Sequence, residues 1–206
     1  MKHVIAGFGK FGRLALKRLT EAMPAAQIIV IEPEKDFHGI EDHSRINAIR
    51  GDAVSVLLNS PELEAGDVII PMVPFHLAAA FLLAALPGAR EINLPDGLPS
   101  IVPNPWRLND SNLCCSRSNF LCPDDCPEGD VCMVTGEPRD EPLYSFIGSL
   151  DVPGFTVLVQ RSFQILPGIG GYPLGNLWKL RGLIDSGRYL IATSCKCHGI
   201  MTGIQR

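Results

Sequence analysis

A short apolar run, His3 to Ala6, leads directly into Gly7-Phe-Gly9-Lys-Phe-Gly12, and an amphipathic stretch follows. Three glycines at this spacing between a strand and a helix leave a chain few options. The first permits a tight turn, the second lets a pyrophosphate approach the backbone, and the third lets helix and strand pack closely. The free N–H groups at the start of the helix then face the same point and favour an anion. Phe11, Leu14, Ala15, Leu19 and Ala22 recur at helical spacing, so Phe11 to Ala22 is expected to be the helix. Glu32 closes the next apolar run, Gln27 to Ile31, where a carboxylate suits the hydroxyls of a ribose.

The alternation continues beyond this unit. Ile46 to Ile49, Val68 to Val73 and Glu91 to Leu94 read as further strands, and short helical crossovers between them imply a parallel sheet. From Val68 to Leu86 the only ionisable group is His76, which invites comparison with a membrane span. Pro71 and Pro74 divide that stretch, and the helical part from His76 to Leu86 is about half the ~20 residues a spanning helix needs. A buried strand followed by a buried helix is therefore expected, and no membrane span. Late in the chain Phe155 to Gln160 reads as a strand, and Gly168, Gly170 and Gly171 as a turn that could also cradle a phosphate. Pro173 suits the first turn of the next helix, Leu174, Leu177, Leu180 and Ile184 give it an apolar face, and Gly187 fits its end. Tyr189 to Ser194 is a last strand. The expected class is α/β: a Rossmann-like doubly wound parallel sheet built from residues 1–108 and 146–206, with a cysteine-rich metal-binding insertion at 109–145.

That insertion holds five of the seven cysteines and has little apolar pattern. It carries eight acidic and two basic residues, a balance of −6 in a chain whose net charge is only −4. Such a segment cannot order itself around a hydrophobic core, and its charge suits holding a cation. Cys122, Cys126 and Cys132 form C-x3-C-x5-C, and Cys195, Cys197 and His198 add two thiols and an imidazole at the end of the last strand. Tetrahedral thiolate sites draw their ligands from two such short segments. The spacing selects neither zinc nor an iron–sulfur cluster, and both accept a thiolate cage. Cys114 and Cys115 are adjacent and read as packing residues or a spare pair, and Arg139 as an anion site or an offset to its acidic surroundings.

The first third of the chain also resembles the nucleotide-binding N-domain of potassium-conductance regulators, the RCK or TrkA-N family. Val4-Ile-Ala-Gly-Phe-Gly-Lys-Phe-Gly12, Ile31-Glu-Pro-Glu-Lys-Asp36, Arg50-Gly-Asp-Ala53 and Leu63-Glu-Ala-Gly-Asp-Val68 carry the resemblance, over about residues 2 to 73. It implies NAD(H) or a related adenine nucleotide, with Glu32 on the ribose and Asp52 near the adenine. Gly7, Gly9, Lys10, Phe11 and Gly12 would then form the phosphate turn. Glu32 would repel a 2′-phosphate, so NAD is expected over NADP.

Two functional readings follow. In the first, the chain binds NAD(H) and carries a cysteine-ligated metal on the same sheet rim as a small oxidoreductase, with His76 as acid–base group facing the nicotinamide. In the second it is a non-catalytic nucleotide sensor or accessory protein whose metal-stiffened module binds a protein partner or a second copy of the chain. The acidic balance argues against nucleic acid as a partner. Reduced, clustered thiols and a Met1 that leads straight into a strand point to the cytoplasm. His38 and His43 read as solvated loop residues.

Overall fold

The computed structural model describes residues 1–34, 37, 40 and 44–206, so His38 and His43 lie outside the described residues. In chain order the elements are β1 (His3–Ala6), α1 (Lys10–Ala22), β2 (Ile28–Glu32), β3 (Ile46–Arg50), α2 (Ala53–Asn59), β4 (Val68–Pro71), α3 (Leu77–Ala85) and a two-residue β5 (Arg90–Glu91). They continue with α4 (Leu98–Ile101), β6 (Trp106–Arg107), β7 (Asn112–Ser116), α5 (Leu143–Gly148), β8 (Thr156–Arg161), β9 (Phe163–Leu166), β10 (Ile169–Pro173), α6 (Leu174–Leu183), β11 (Arg188–Ser194) and β12 (His198–Gln205).

Isoleucine and valine dominate β1, β2 and β4, which lie side by side at the centre of the first sheet and are buried on both faces. The sheet runs β3-β2-β1-β4-β10-β9. Its first four strands are parallel, with α1 and α2 as crossovers. Its last two are antiparallel, β10 against β4 and β9 against β10. The second sheet runs β6-β7-β12-β11-β8, with β5 also on β12. There β8 and β11 are parallel and the remaining pairs antiparallel.

The molecule is thus a mixed α/β protein with parallel strands in both sheets, but not one continuous sheet with an insertion. The expected turn at Gly168–Gly171 is where the two outcomes part. Gly170 and Gly171 lie within β10, which pairs with β4 and so carries the chain back to the first sheet. A side chain at Gly171 is excluded by that pairing: its Cβ would sit 2.5 Å from the Ile69 carbonyl oxygen. These glycines serve close strand contact rather than a phosphate turn. Cys114 and Cys115 likewise belong to a strand, β7, and Cys115 is buried beneath α5.

Helix α3 explains why two sheets share one core. Its sequence, Leu-Ala-Ala-Ala-Phe-Leu-Leu-Ala-Ala, is apolar all round, and such a helix needs apolar walls on every side. It lies among α2, α6 and the second sheet's β11 and β12. One core cluster joins Val4, Ile29 and Ile69 of the first sheet to Tyr189, Ile191 and Ile204 of the second through Phe81 and Leu82. Phe81 meets Trp178 of α6 edge-on with ring centroids 5.0 Å apart. The opposite face of the first sheet buries Ile5, Val30 and Ile70 against Ala15 and Leu19 of α1, and that of the second buries Leu190 and Met201 against Leu143 and Ile147 of α5. Period-two alternation sends successive strand residues to different cores. Among the described residues no helix is long and apolar enough to cross a membrane.

One polar chain crosses this core at the start of α3. His76 is 6% exposed, with Nδ1 2.7 Å from Thr202 Oγ1 and Nε2 2.8 Å from Thr193 Oγ1. The Thr202 hydroxyl donates onward to Asn112 Oδ1 at 2.5 Å, and Asn112 Nδ2 donates to Asn109. With its proton committed, Thr202 accepts from His76, so Nδ1 carries the hydrogen and Nε2 accepts from Thr193. This is a neutral imidazole bracing α3 to β11 and β12. Burial lowers its pKa from 6.5 to about 3. Between those values the unfolded chain binds a proton that the folded protein refuses, so stability falls as pH falls through this window. We expect His76 to contribute up to about 1.4 kcal/mol of lost stability per pH unit there. His76→Gln should flatten this acid limb in urea unfolding measured from pH 7 to pH 4; an unchanged slope would contradict the assignment.

Candidate functional site

The glycine turn lies at the carboxyl end of β1. Gly7 has φ +99°, and a Cβ on it would meet the Met72 carbonyl oxygen at 2.6 Å. A Cβ on Gly12 would come within 2.1 Å of the Gly7 carbonyl oxygen. The protein's own packing therefore requires both glycines. Gly9 differs: its φ is −69° and a Cβ there meets nothing within 4 Å. Gly9 is the N-cap of α1 and offers no side chain to the free N–H groups, and the first turn holds no acid. The exposed Lys10 in that turn adds positive charge to the positive end of the helix.

Glu32, at the end of β2, accepts a 2.7 Å hydrogen bond on Oε2 from the N–H of Phe8, so its carboxylate is held against the turn. Phe8 stacks on Phe37 with centroids 6.4 Å apart, and the Arg13 guanidinium lies 4.5 Å over its ring. Phe11 is 58% exposed, with Lys10 Nζ 5.6 Å from its centroid. Asp52 accepts from the Ser55 N–H at 2.9 Å and caps α2. Capping accounts for this residue, on which the resemblance put the adenine. His76, expected at the rim as an acid–base group, instead has both ring nitrogens occupied inside the core.

The two cysteine segments do meet. The turn between β11 and β12 is gripped from three sides. Arg117 N–H donates to the Cys197 carbonyl and Leu143 N–H to the Lys196 carbonyl, each at 2.8 Å, while Lys196 N–H donates to Glu128 Oε1. Cys122 Sγ lies 3.6 Å from His198 Nε2, and Cys195 Sγ lies 4.0 Å from Nδ1 of the same ring. Arg139 enters from the other end of the segment, its Nη2 donating to Cys126 Sγ at 3.6 Å. Cys122 and Cys195 thus flank the His198 ring at this turn, and Cys126 lies beside Arg139. Among the described residues, however, no three His, Cys, Asp or Glu side chains are arranged to enclose a metal ion.

Two kinds of electrostatic environment divide these sulfurs. N–H groups of Thr135 and Val134, together with the Thr135 side chain and Arg139, hold the Cys132 thiol down to about 7. Burial, reinforced by the Glu128 carboxylate, pushes Cys195 up to about 12. Burial also raises Cys197, with Arg139 opposing and the charges of Glu128, Cys126 and Cys122 adding to the rise. Burial lowers His198 most, Glu128 works against it, and Arg139 adds to the fall. Glu128 was missed by the reading of the sequence. Its signal is local: an acid before glycine in the Cys126-Pro-Glu-Gly129 turn, held at φ +50°, where a non-glycine residue is strained by about 1–3 kcal/mol.

The cysteine turn also rests on the first sheet. Gly168, in the hairpin between β9 and β10, donates its N–H to the Cys126 carbonyl at 3.0 Å, and Gln164 Nε2 donates to the same oxygen at 2.7 Å. Arg18 of α1 donates to the carbonyls of Asp124 at 2.7 Å and Pro167 at 3.2 Å. The helix that opens with the glycine turn is therefore tied directly to the loop between Cys122 and Cys126.

Comparison with known proteins corrects one expectation. Neither a conductance-regulator family nor an NAD-binding family matches, so the resemblance over residues 2–73 does not assign the chain to the RCK or TrkA-N group. The structure supplies a physical reason: beyond β4 the sheet is completed by antiparallel β10 and β9. A protein of Archaeoglobus fulgidus, itself described as an uncharacterized protein, is 30% identical over 86 residues, 41% of this chain and 39% of that one. The chain thus spans about two fifths of this curated relative's length. No solved structure matches. The match to the AF_1314_C family, described as "Uncharacterized protein, C-terminal domain", runs from residue 76 to residue 206, from the histidine that braces α3 through the whole cysteine segment to the last strand, and the chain belongs to that family.

Proposed function

We propose that the chain binds a pyrophosphate-bearing dinucleotide, NAD(H), at the glycine turn of a Rossmann-like unit and carries a cysteine-ligated metal centre beside it. The observation that carries the first half is the contrast among the three glycines. Gly7 and Gly12 are demanded by internal packing, whereas Gly9 leaves open space over uncapped helical N–H groups. Phosphate oxygens fit that space, and the N–H groups and Lys10 supply the charge complement. Glu32, held on the Phe8 N–H, presents a carboxylate to a ribose and disfavours a 2′-phosphate. What supports the second half is that the two cysteine segments meet, with Cys122 and Cys195 on either side of His198 and Cys126 beside Arg139, in a stretch with no apolar core of its own.

Within this reading the ties from Arg18 and Gly168 to the Cys122–Cys126 loop favour a coupled pair of sites. A metal that exchanges electrons with the nicotinamide would make the protein a small oxidoreductase. A specific observation favours the second reading, a non-catalytic sensor or accessory protein. His76 is bonded at both nitrogens within the core and takes no part at the rim.

Titration of NADH by fluorescence or calorimetry tests the dinucleotide reading. We expect saturable binding, weaker for NADPH. Gly9→Val should weaken it at least about tenfold by obstructing the phosphate, since one charged hydrogen bond is worth about 1.5–3 kcal/mol. The same variant should unfold at the wild-type denaturant concentration. Gly12→Ala should do the reverse in kind, costing about 2 kcal/mol or more of stability through overlap with the Gly7 carbonyl. Absence of NADH binding by the folded wild-type protein would overturn the reading.

A further inference from the structure

We infer that the nicotinamide end of the dinucleotide lies in the mouth between the β4–α3 loop and the inner face of the second sheet, on a strip formed by Cys114, Ile200, Thr193 and Gln160. This rests on the reading that the glycine turn binds NAD(H), and it assigns residues to the half of the ligand that the turn does not hold.

Strand register defines the strip. Cys114 of β7 pairs with Ile200 of β12, Ile200 with Thr193 of β11, and Thr193 with Gln160 of β8, so the four side chains lie abreast on one face. That face looks toward the first sheet. Thr193 meets His76, and Leu158, two residues before Gln160, packs into the core shared by the two sheets. Val157 and Val159 point the other way, into the core beneath α5. The shared core stops short of the strip. Helix α3 begins at Leu77, and its cap His76, bonded to Thr193 and Thr202, closes the floor. Above that floor Cys114, Thr193 and Ile200 are half-exposed, and among the described residues neither Cys114 nor Ile200 packs into a core. Apolar side chains left bare on the inner side of a sheet suit a ligand better than water.

Two observations select the occupant. The first is continuity with the glycine turn. The opposite wall of the mouth is the loop from Met72 to Phe75. Met72 N–H donates to the Ala6 carbonyl at 2.8 Å, and Gly7 is pressed against the Met72 carbonyl and Val73. Phe75, next to His76 in the chain, is 43% exposed. Strand β1 has β2 on one side and β4 on the other. A dinucleotide with its pyrophosphate at Gly9 and one ribose on Glu32 of β2 therefore extends its other half over β4, toward this loop. The second observation is hydrogen bonding. The Thr193 hydroxyl gives its proton to His76 Nε2 and keeps a lone pair. Gln160 Nε2 donates to the Arg161 carbonyl at 2.7 Å, which fixes the amide. Gln160 is only 3% exposed, yet among the described residues its Oε1 accepts no hydrogen bond. Two neighbouring acceptors complement the two N–H donors of a carboxamide, and Cys114 and Ile200 suit the face of the ring that carries it.

The test compares NADH with ADP-ribose, which shares the pyrophosphate and adenosine but has no nicotinamide, by calorimetry on the full chain. We expect the wild-type protein to bind NADH at least about tenfold tighter, because the strip offers hydrogen bonds and apolar contact to that ligand alone. Ile200→Trp and Cys114→Trp fill the strip from its open side. Each should bring NADH down to the affinity of ADP-ribose and leave ADP-ribose binding unchanged, with folding checked by circular dichroism. Equal affinity of the wild-type protein for the two ligands would overturn the placement, needs no variant to fold, and leaves the dinucleotide reading standing. Folded variants that keep the wild-type preference, or that lose both ligands alike, would overturn it too. Binding of neither ligand by the folded wild-type protein would overturn both the placement and the reading beneath it.

Discussion

Everything in this fold is arranged around a helix with no polar side. Nine residues from Leu77 to Ala85 offer water nothing, and burying such a helix demands a wall in every direction. The first sheet cannot provide that alone. The second sheet and α6 cover most of the rest, leaving Ala84 exposed at the helix end, so the two sheets face each other across a shared core. Because β10 pairs with β4 before α6 begins, the chain crosses from one sheet to the other beside the helix it must cover. The neutral His76 then ties the mouth of that helix to β11 and β12 through hydroxyl groups, which satisfies its ring nitrogens where water does not reach.

The cysteine segment obeys a different rule. Apart from Leu113, Cys115 and Leu143 near its two ends it lies outside the cores, and the order of the stretch between them comes from backbone hydrogen bonds to the turn between β11 and β12, from Arg139, and from Glu128. Two of these contacts, Arg117 to the Cys197 carbonyl and Leu143 to the Lys196 carbonyl, end at or beside a cysteine. The segment therefore behaves as a sheath around one turn, and that turn is fixed by the long pairing of β11 with β12. A rigid hairpin supplies the framework, and the polar segment wraps it. Arg18 and Gly168 extend the contact to the first sheet, so the glycine-turn helix and the cysteine loop share a boundary.

Much of this was legible in the residues. The strands from His3 to Ala6, near Gln27 to Ile31 and from Val68 onward are runs of branched apolar residues, and short-range pattern suffices to find them. The proline-split stretch after Val68 was readable as a buried strand and helix, because length alone excludes a span. The cysteines could be grouped by spacing. Other features could not be read this way. Gly170 and Gly171 look like a turn in one dimension, since glycine that permits tight turns also permits close strand contact. His76 has no sequence mark to distinguish a rim residue from a core brace; its partners Thr193 and Thr202 lie more than a hundred residues away. The same limit applies to Asp52, whose role depends on whether its oxygen faces a ligand or the Ser55 N–H.

Local pattern by itself determined where β1, β2, β4, β8, β11 and helices α1, α3 and α6 form, but not β7, β9, β10 or β12. It also determined that α3 must be buried and that a polar, cysteine-rich segment needs support other than an apolar core. Those are consequences of periodicity and charge, which act over a few residues. Tertiary structure decided that there are two sheets, that His76 faces hydroxyls instead of a cleft, and that Cys126 meets Arg139 while Cys122 and Cys195 meet His198. Those outcomes depend on which distant segments come together, and burial and charge act through space regardless of separation along the chain.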